Sequence, residues 1–297
     1  MEEWPALPYE EWRDTRDTLH MCTQVVGKLR LALSPFEPQW AHVPLYLTAR
    51  GLTTSPVPSG LRTFDAEFDL VAHQLVLRAS DGGSEVIALR PRSVAEFYRD
   101  VMDGLARLGV DVTISAVPSE VADPIPFPDD STHHSYDPKH ANRFFQVLSQ
   151  VDVVLKEHRS RFLGRTTPVH FFWGTFDLAV TRFSGRPATP PAHAGTIYRY
   201  GADAEQICAG FWPGHEQFRQ AAFFAYSYPK PDAIEKALIR PDEAGWQDQL
   251  GEFILPYDTA RTMADPKRAI LSFLESTYDA GAAAARWSGD LMAKGGP

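Results

Sequence analysis

Apolar positions along this chain recur with a helical period, then a strand period, then a helical period, and the cycle repeats. Residues 1–13 read as a lead-in pinned to the body by Trp4 and Trp12. From Asp14 to Leu33, Leu19, Cys22, Val26, Leu29 and Leu33 fall three and four apart, which predicts a helix with one buried stripe. Ser34-Pro35 stops it. Strands are expected at His42–Thr54, Thr63–Asp69, Gln74–Ala79 and Glu85–Leu89, the last two joined by an Asp81-Gly82-Gly83 turn. Ser93 and Glu96 form a capping box for a helix that buries Val94, Phe97, Val101, Leu105 and Leu108 and closes at Gly109. Val110–Val117 reads as a further short strand.

Residues 118–137, rich in proline, read as a linker. Asp137-Pro138 caps a helix reaching Phe162, with Phe144, Leu148, Val151, Leu155 and His158 on its inner stripe. The most aromatic run follows, Pro168–Pro187, too long for one ordinary strand of ~3–10 residues. Gly174 is the natural place for a bulge or bend. A Pro/Gly-rich loop covers 185–204, and strands are expected at Gln206–Trp212, Ala221–Tyr228 and Glu252–Leu255. Asp265-Pro266 opens a last helix to about Trp287, and the tail Leu291–Pro297 is expected to fray.

Shifting the chain by 128 positions aligns Lys28 with Lys156, His42 with His170 and Thr53 with Thr181, within matching element orders. The expected fold is therefore α+β: a tandem duplication of a helix–antiparallel strands–helix unit, packed about a pseudo-twofold axis. The halves would be 1–128 and 129–297, forming one compact unit with a pocket in the groove between them.

Composition narrows the function classes. A net charge of −9 disfavours a sequence-independent grip on nucleic acid. No apolar run reaches the ~18 residues of a membrane span, and the acidic start lacks a signal peptide's basic region. Cys22 and Cys208 are the only cysteines, which excludes a disulfide framework and suits the cytoplasm. Dinucleotide, P-loop, hydrolase-elbow and haem-attachment motifs are all absent.

Four constellations carry possible chemistry. His133, His134 and His140 beside Asp137 offer imidazoles to a transition metal, with His170 or His215 as a distant partner. Their spacing matches no zinc signature, and Asp137 serves more simply as a helix cap. His42 and His170 are either hydrogen-bonded core imidazoles or groups facing the inter-half groove, where His170 would act as a base oriented by Asp177. Arg50 and Arg182 would clamp a ligand anion or pair with acids such as Asp177 or Glu252. Gly210–His215 reads as a rigid aromatic turn whose histidine either lies at the surface or reaches a pocket.

Several longer runs go together: WPALPYEEWRDTRDTLH, HVPLYLTARGLTTSPVP, HHSYDP, FFWGTFDLAVTRFSGR, GFWPG and GEFILPY. With these the chain resembles, over nearly its whole length, a bacterial family of proteins of unknown function. The resemblance brings no activity with it. Relatives of that kind carry Ser-His-Glu where this chain has Gly201-Ala202-Asp203, and glycine in place of His215, which weakens any metal site built there.

The expectation drawn from these residues is a cytosolic enzyme, a monomer or homodimer, acting on a small polar or anionic molecule. His170, His133, Tyr136 and Asp177 would be catalytic, and Arg50, Arg182, His42 and Trp173 would bind substrate. A metal would sit on His133, His134 and His170, or a haem would assist. Loop 185–204 would act as a lid. The alternative is a non-catalytic module that binds a small molecule or a protein.

Overall fold

A computed structural model describes residues 2–293. Helix α1 (Tyr9–Leu33) begins at Tyr9 rather than Asp14, because Tyr9 and Trp12 already belong to its buried face. Glu10 and Glu11 in its first turn complement the positive end of the helix dipole.

The run His42–Thr54 is not one strand but a hairpin. β1 (Tyr46–Leu47) folds back on β2 (Gly51–Thr53), pairing Tyr46 with Thr53 and Leu47 with Leu52. Gly51 is required there, since a Cβ would lie 1.9 Å from the Phe68 carbonyl oxygen. β3 (Val57–Ser59) resumes beyond the break, and both β2 and β3 pair with β4 (Arg62–Asp69). β5 (Gln74–Ala79) and β6 (Ser84–Ala88) complete an antiparallel meander. Ser93 and Glu96 make the expected reciprocal cap on α2 (Val94–Arg107). Val110–Val117 has strand composition but pairs with no strand; it runs as extended chain with Val110 and Ile114 buried.

Residues 129–297 carry further helices and a second sheet. Asp137 caps α3 (Pro138–Ser160), accepting from the backbone N–H of Lys139 at 2.7 Å and of His140 at 3.3 Å. The aromatic run forms β7 (His170–Phe172) and β8 (Asp177–Pro187), joined by a turn over Trp173–Phe176, so it is a hairpin rather than a bulged strand. A short helix, α4 (Thr196–Gly201), lies inside the expected loop. β9 (Ala204–Trp212), β10 (Ala222–Tyr228), β11 (Gly245–Gln247) and β12 (Glu252–Pro256) follow. The sheet order is β7-β8-β9-β10-β12-β11, all antiparallel. β11 was not foreseen, since only three residues of mixed character form it. α5 (Tyr257–Arg261) and α6 (Pro266–Ala284) end the fold. Of the tail, Met292 bridges to Phe162, while residues 294–297 lie outside the described residues.

The fold is thus α+β, with two six-stranded antiparallel sheets flanked by helices. Their first strands meet where Leu45 and Phe171 exchange both backbone hydrogen bonds, each 2.9 Å. One apolar core runs through both halves, from Val25 and Leu29 of α1 through Phe68 and Phe144 to Leu178, Phe211 and Phe223. Each such fully buried side chain contributes ~1.5–3 kcal/mol. Among the described residues, no helix is long and apolar enough to cross a membrane.

Candidate functional site

Strand alternation splits the second sheet into two chemically different faces. Leu178 and Val180 of β8, Phe211 of β9 and Phe223 and Ala225 of β10 enter the main core. Asp177, Ala179 and Thr181, with Gln206 and Cys208 of β9, Phe224 and Tyr226 of β10 and Glu252 of β12, face the other way. That second face floors a half-open cavity of about 1270 Å³. Its floor is apolar, built on Ala179, Cys208, Phe224 and Ile254. The register aligns Thr181 with Cys208 and Cys208 with Tyr226, and carried on one step it puts Glu252 opposite Tyr226. Asp177 on β8 and Glu252 on β12 are separated by β9 and β10, and Asp177 lies one step beyond the Leu178–Phe211 pair, four residues along β8 from Thr181.

Helix α1 supplies one wall. Arg16, His20, Gln24 and Lys28 recur every four residues and form a polar stripe on an otherwise apolar helix. Arg16 and His20 line the cavity. The Nε2–H of His20 donates to the carbonyls of Trp173 and Gly174, 3.0 Å each, and so holds the β7–β8 turn. Burial drives this imidazole down to about 3, so it is neutral. Gln24 and Lys28 hold Ser119, the start of a segment that carries Glu120 over the cavity. Much of Glu120 is exposed, yet its carboxylate lies against Gly174, where a Cβ would come within 2.2 Å of Oε2.

Three carboxyl groups dominate the electrostatics. Burial pushes Asp177 up to about 7, with Glu120 adding to the effect and a hydrogen bond from Thr175 opposing it. Glu252 is also pushed up to about 7, by burial first and by the charge of Asp177 second. Burial raises Glu120 as well. Among the described residues none of the three is in a salt bridge with a cation. Burial lifts the Cys208 thiol to about 12, and the Tyr226 hydroxyl is raised far by the Cys208 charge and by burial.

Of the residues predicted from sequence, Asp177, Trp173 and His133 line this cavity. Trp173 is anchored by its Nε1–H to the Val43 carbonyl at 2.8 Å, with the Lys28 ammonium 5.7 Å from its ring. The His133 Nδ1–H donates to the Asp130 carboxylate at 2.7 Å, which holds the imidazole above its ordinary range.

The other predicted residues lie elsewhere. Arg50 is engaged by Asp69 at 2.5 Å. Arg182, only 1% exposed, sits on the opposite sheet face, bonded to the His158 carbonyl and Glu275 and packed on Phe162 and Tyr278. His42 accepts from the Glu37 N–H at 3.2 Å and stacks on Trp40. Tyr136 bonds His73 at 2.9 Å. His134 is exposed, with Nδ1 on the Thr132 carbonyl.

His170 is 1% exposed with neither ring nitrogen partnered, between Tyr46 and Phe172. It shares a sheet face with Asp177 through hairpin pairing but does not line the cavity. Burial, with the Arg30 charge, lowers it to about 4. His133, His134 and His170 do not converge, and among the described residues no group of three or more His, Cys, Asp or Glu is placed to hold a metal ion. The residues do not fit the metal expected from sequence.

Sequence reasoning missed Glu252, Glu120, Tyr226 and the polar stripe of α1. The stripe had a legible signal: long polar side chains every fourth residue in a helix with apolar residues on most sides.

The fold and the composition of the cleft define an α+β protein with an acidic, aromatic-walled cavity. Residues 4–294 match the family of unknown function DUF5996, and the chain belongs to that family. No curated protein and no solved structure matches it.

Proposed function

We propose that this protein is an enzyme performing general acid–base chemistry on a small organic molecule held in the cavity, with Asp177 and Glu252 as the proton-transferring groups. The observation that carries the reading is that these carboxyls face the cavity without a cationic partner and are poised near neutrality. A carboxyl titrating near 7 both gives and takes a proton at physiological pH. Their placement on β8 and β12, across the floor from one another, suits an acid and a base acting on opposite sides of one substrate. Glu120 is a third acid, delivered by the segment over the opening. His133, kept basic by Asp130, and Tyr226 border the site as donors. Trp173 forms a wall that orients the substrate. Ile197 and Tyr198 of α4 close one end, which supports the lid role of the 185–204 segment.

The apolar floor favours a second reading, a binding module without chemistry. One experiment separates them. Purified protein is incubated with a small-metabolite extract, and its composition is followed by mass spectrometry. Depletion of a component by the wild type, and not by Asp177→Asn or Glu252→Gln, is the expected result. An unchanged extract, or variants as active as the wild type, overturns the catalytic reading.

The same proposal includes a tandem duplication. Matching element order and the reciprocal Leu45–Phe171 pairing support it, since first strands related by a twofold axis meet in this antiparallel way. The cavity draws its lining from both 1–128 and 129–297, as a groove between repeats would. Superposing the Cα traces of 18–115 and 146–285 tests it; unrelated topologies overturn it. Two free buried cysteines support a reducing, cytoplasmic setting.

A further inference from the structure

We infer that the cavity selects an organic cation, an amine or a quaternary ammonium, rather than an anion. The inference deepens the proposed function and rests on the same cavity. Six carboxylates line it, Asp17, Glu120, Asp123, Asp177, Glu216 and Glu252. Of the two permanent cations in the lining, Arg16 bonds Asp17 at 2.7 Å through one guanidinium nitrogen, its Nε being without a partner, and Lys230 bonds Glu235 at 3.3 Å. A cleft lined by one sign of charge over apolar walls focuses its field and concentrates ligands of opposite charge.

The second, independent observation is aromatic. Phe172, Trp173, Trp212, Phe224, Tyr226 and Tyr228 all border the cavity. Ring faces attract cations, and do so more strongly where water is excluded. The Lys28 ammonium beside the Trp173 ring shows the cavity edge already holding a cation in this way. Asp177 is 8% exposed and receives a side-chain hydrogen bond only from Thr175, so its remaining acceptor capacity points to a ligand. An anion would meet more carboxylates than cations in this lining, and Arg50 and Arg182, which would have balanced them, are bonded elsewhere.

A bound cation favours the ionised carboxylates, so binding releases protons and strengthens as pH rises. The titrating groups that face Asp177 and Glu252 are Glu120 from the overlying segment, Cys208 of β9 and Tyr226 of β10. Cys208 and Tyr226 stay neutral below pH ~9, because both are shifted upward. His133, held above its ordinary range by Asp130, and His215, lowered by burial, also line the cavity, so protonation of the imidazoles adds to the loss of cation affinity at low pH.

The test is calorimetric titration of the full chain with a matched set: benzylamine, benzyltrimethylammonium, benzyl alcohol and benzoate. Saturable binding of both cations, at least tenfold tighter than benzyl alcohol and with no benzoate binding, is expected. Affinity should fall at least fivefold between pH 8 and pH 5.5. Asp177→Asn and Glu252→Gln should each weaken cation binding tenfold, with melting curves confirming that they fold. Benzoate binding as tightly as benzylamine, or variants binding the cations unchanged, overturns the inference. Metabolite turnover that depends on Asp177, without cation binding, sinks this inference and leaves the enzymatic reading intact. Cation binding without any turnover does the reverse.

Discussion

At the scale of single residues, the cavity carboxyls work against stability. Asp177 titrates near 3.8 in an unfolded chain and about 7 here, because burial disfavours its charge. Between those values the folded state holds more protons than the unfolded one, so stability falls as pH rises through that window. Asp177→Asn removes the penalty. It is expected to be more stable than the wild type by about 1–3 kcal/mol at pH ~8 and indistinguishable at pH ~4. Urea unfolding at the two pH values checks this; a variant that is less stable at both makes Asp177 a structural residue. Arg182 presents the opposite case. Its guanidinium bonds Glu275 and the His158 carbonyl, while the neutral His158 imidazole bonds Glu275, closing a hydrogen-bonded knot beneath the sheet. Glu275→Ala leaves a buried guanidinium without its counter-charge and should cost ~3–5 kcal/mol. Benzylamine affinity should stay unchanged, since the knot lies on the helix side of the sheet. Both residues come from one twenty-residue run. Its alternation announced that ionisable groups were held among aromatics, but not which face of the sheet was wet.

At the scale of elements, the decisive feature is the β7–β8 turn. The pattern of Phe171, Trp173 and Thr175 reads as continuing strand, and nothing local marks Phe176 as the residue that turns with φ 61°. That conformation is uncommon for a bulky side chain, and tertiary contacts impose it. The Phe176 ring packs on Phe144 and His20 at 5.3 and 4.9 Å, and its N–H donates to the Phe172 carbonyl at 2.7 Å. Sequence therefore placed the break at Gly174, inside the observed turn, but not its sharpness as a full hairpin, because the turn is fixed by helices distant in sequence. Caps and helix stripes were legible because their partners are three or four residues away, as at Ser93–Glu96 and Asp137. Gly27 shows how closely helix and turn fit. An added Cβ would lie 2.2 Å from the Trp173 ring. Gly27→Ala gains helix propensity of about 1 kcal/mol but overpacks the contact, for a net loss of about 1–2 kcal/mol. The displaced Trp173 should also change its fluorescence maximum and weaken benzylamine binding. A stabilised variant with an unshifted spectrum would show that the wall is not set by this contact.

At the scale of the whole molecule, two antiparallel sheets share one core, and the cavity draws its lining from both 1–128 and 129–297. Its floor comes from the second sheet, while α1 and the Glu120 segment, both from residues 1–128, build the wall and cover. Glu252 and Asp177 lie 75 positions apart in sequence, so no motif joins them; only the strand order that sets β12 beside β10 does so. This is why the sequence located the aromatic hairpin of the site but not its partner acid. The shared core also dictates how the molecule unfolds. Val25 and Leu29 of α1, Phe144 of α3 and Phe171 of β7 belong to one apolar cluster, and the Leu45–Phe171 pair ties the sheets by their backbones. Cutting the chain at 128 would expose that cluster on both fragments, a loss neither half can offset given a net stability of only ~5–15 kcal/mol. The full chain is therefore expected to melt in one calorimetric transition with matching van't Hoff and calorimetric enthalpies. Fragments 1–128 and 129–297, expressed separately, should give amide spectra of unfolded or aggregated chain, and mixing or co-expressing them should restore dispersion and benzylamine binding together. Two resolved transitions, or a 129–297 fragment that folds and binds benzylamine alone, would place the site within one half and separate the cavity from the junction.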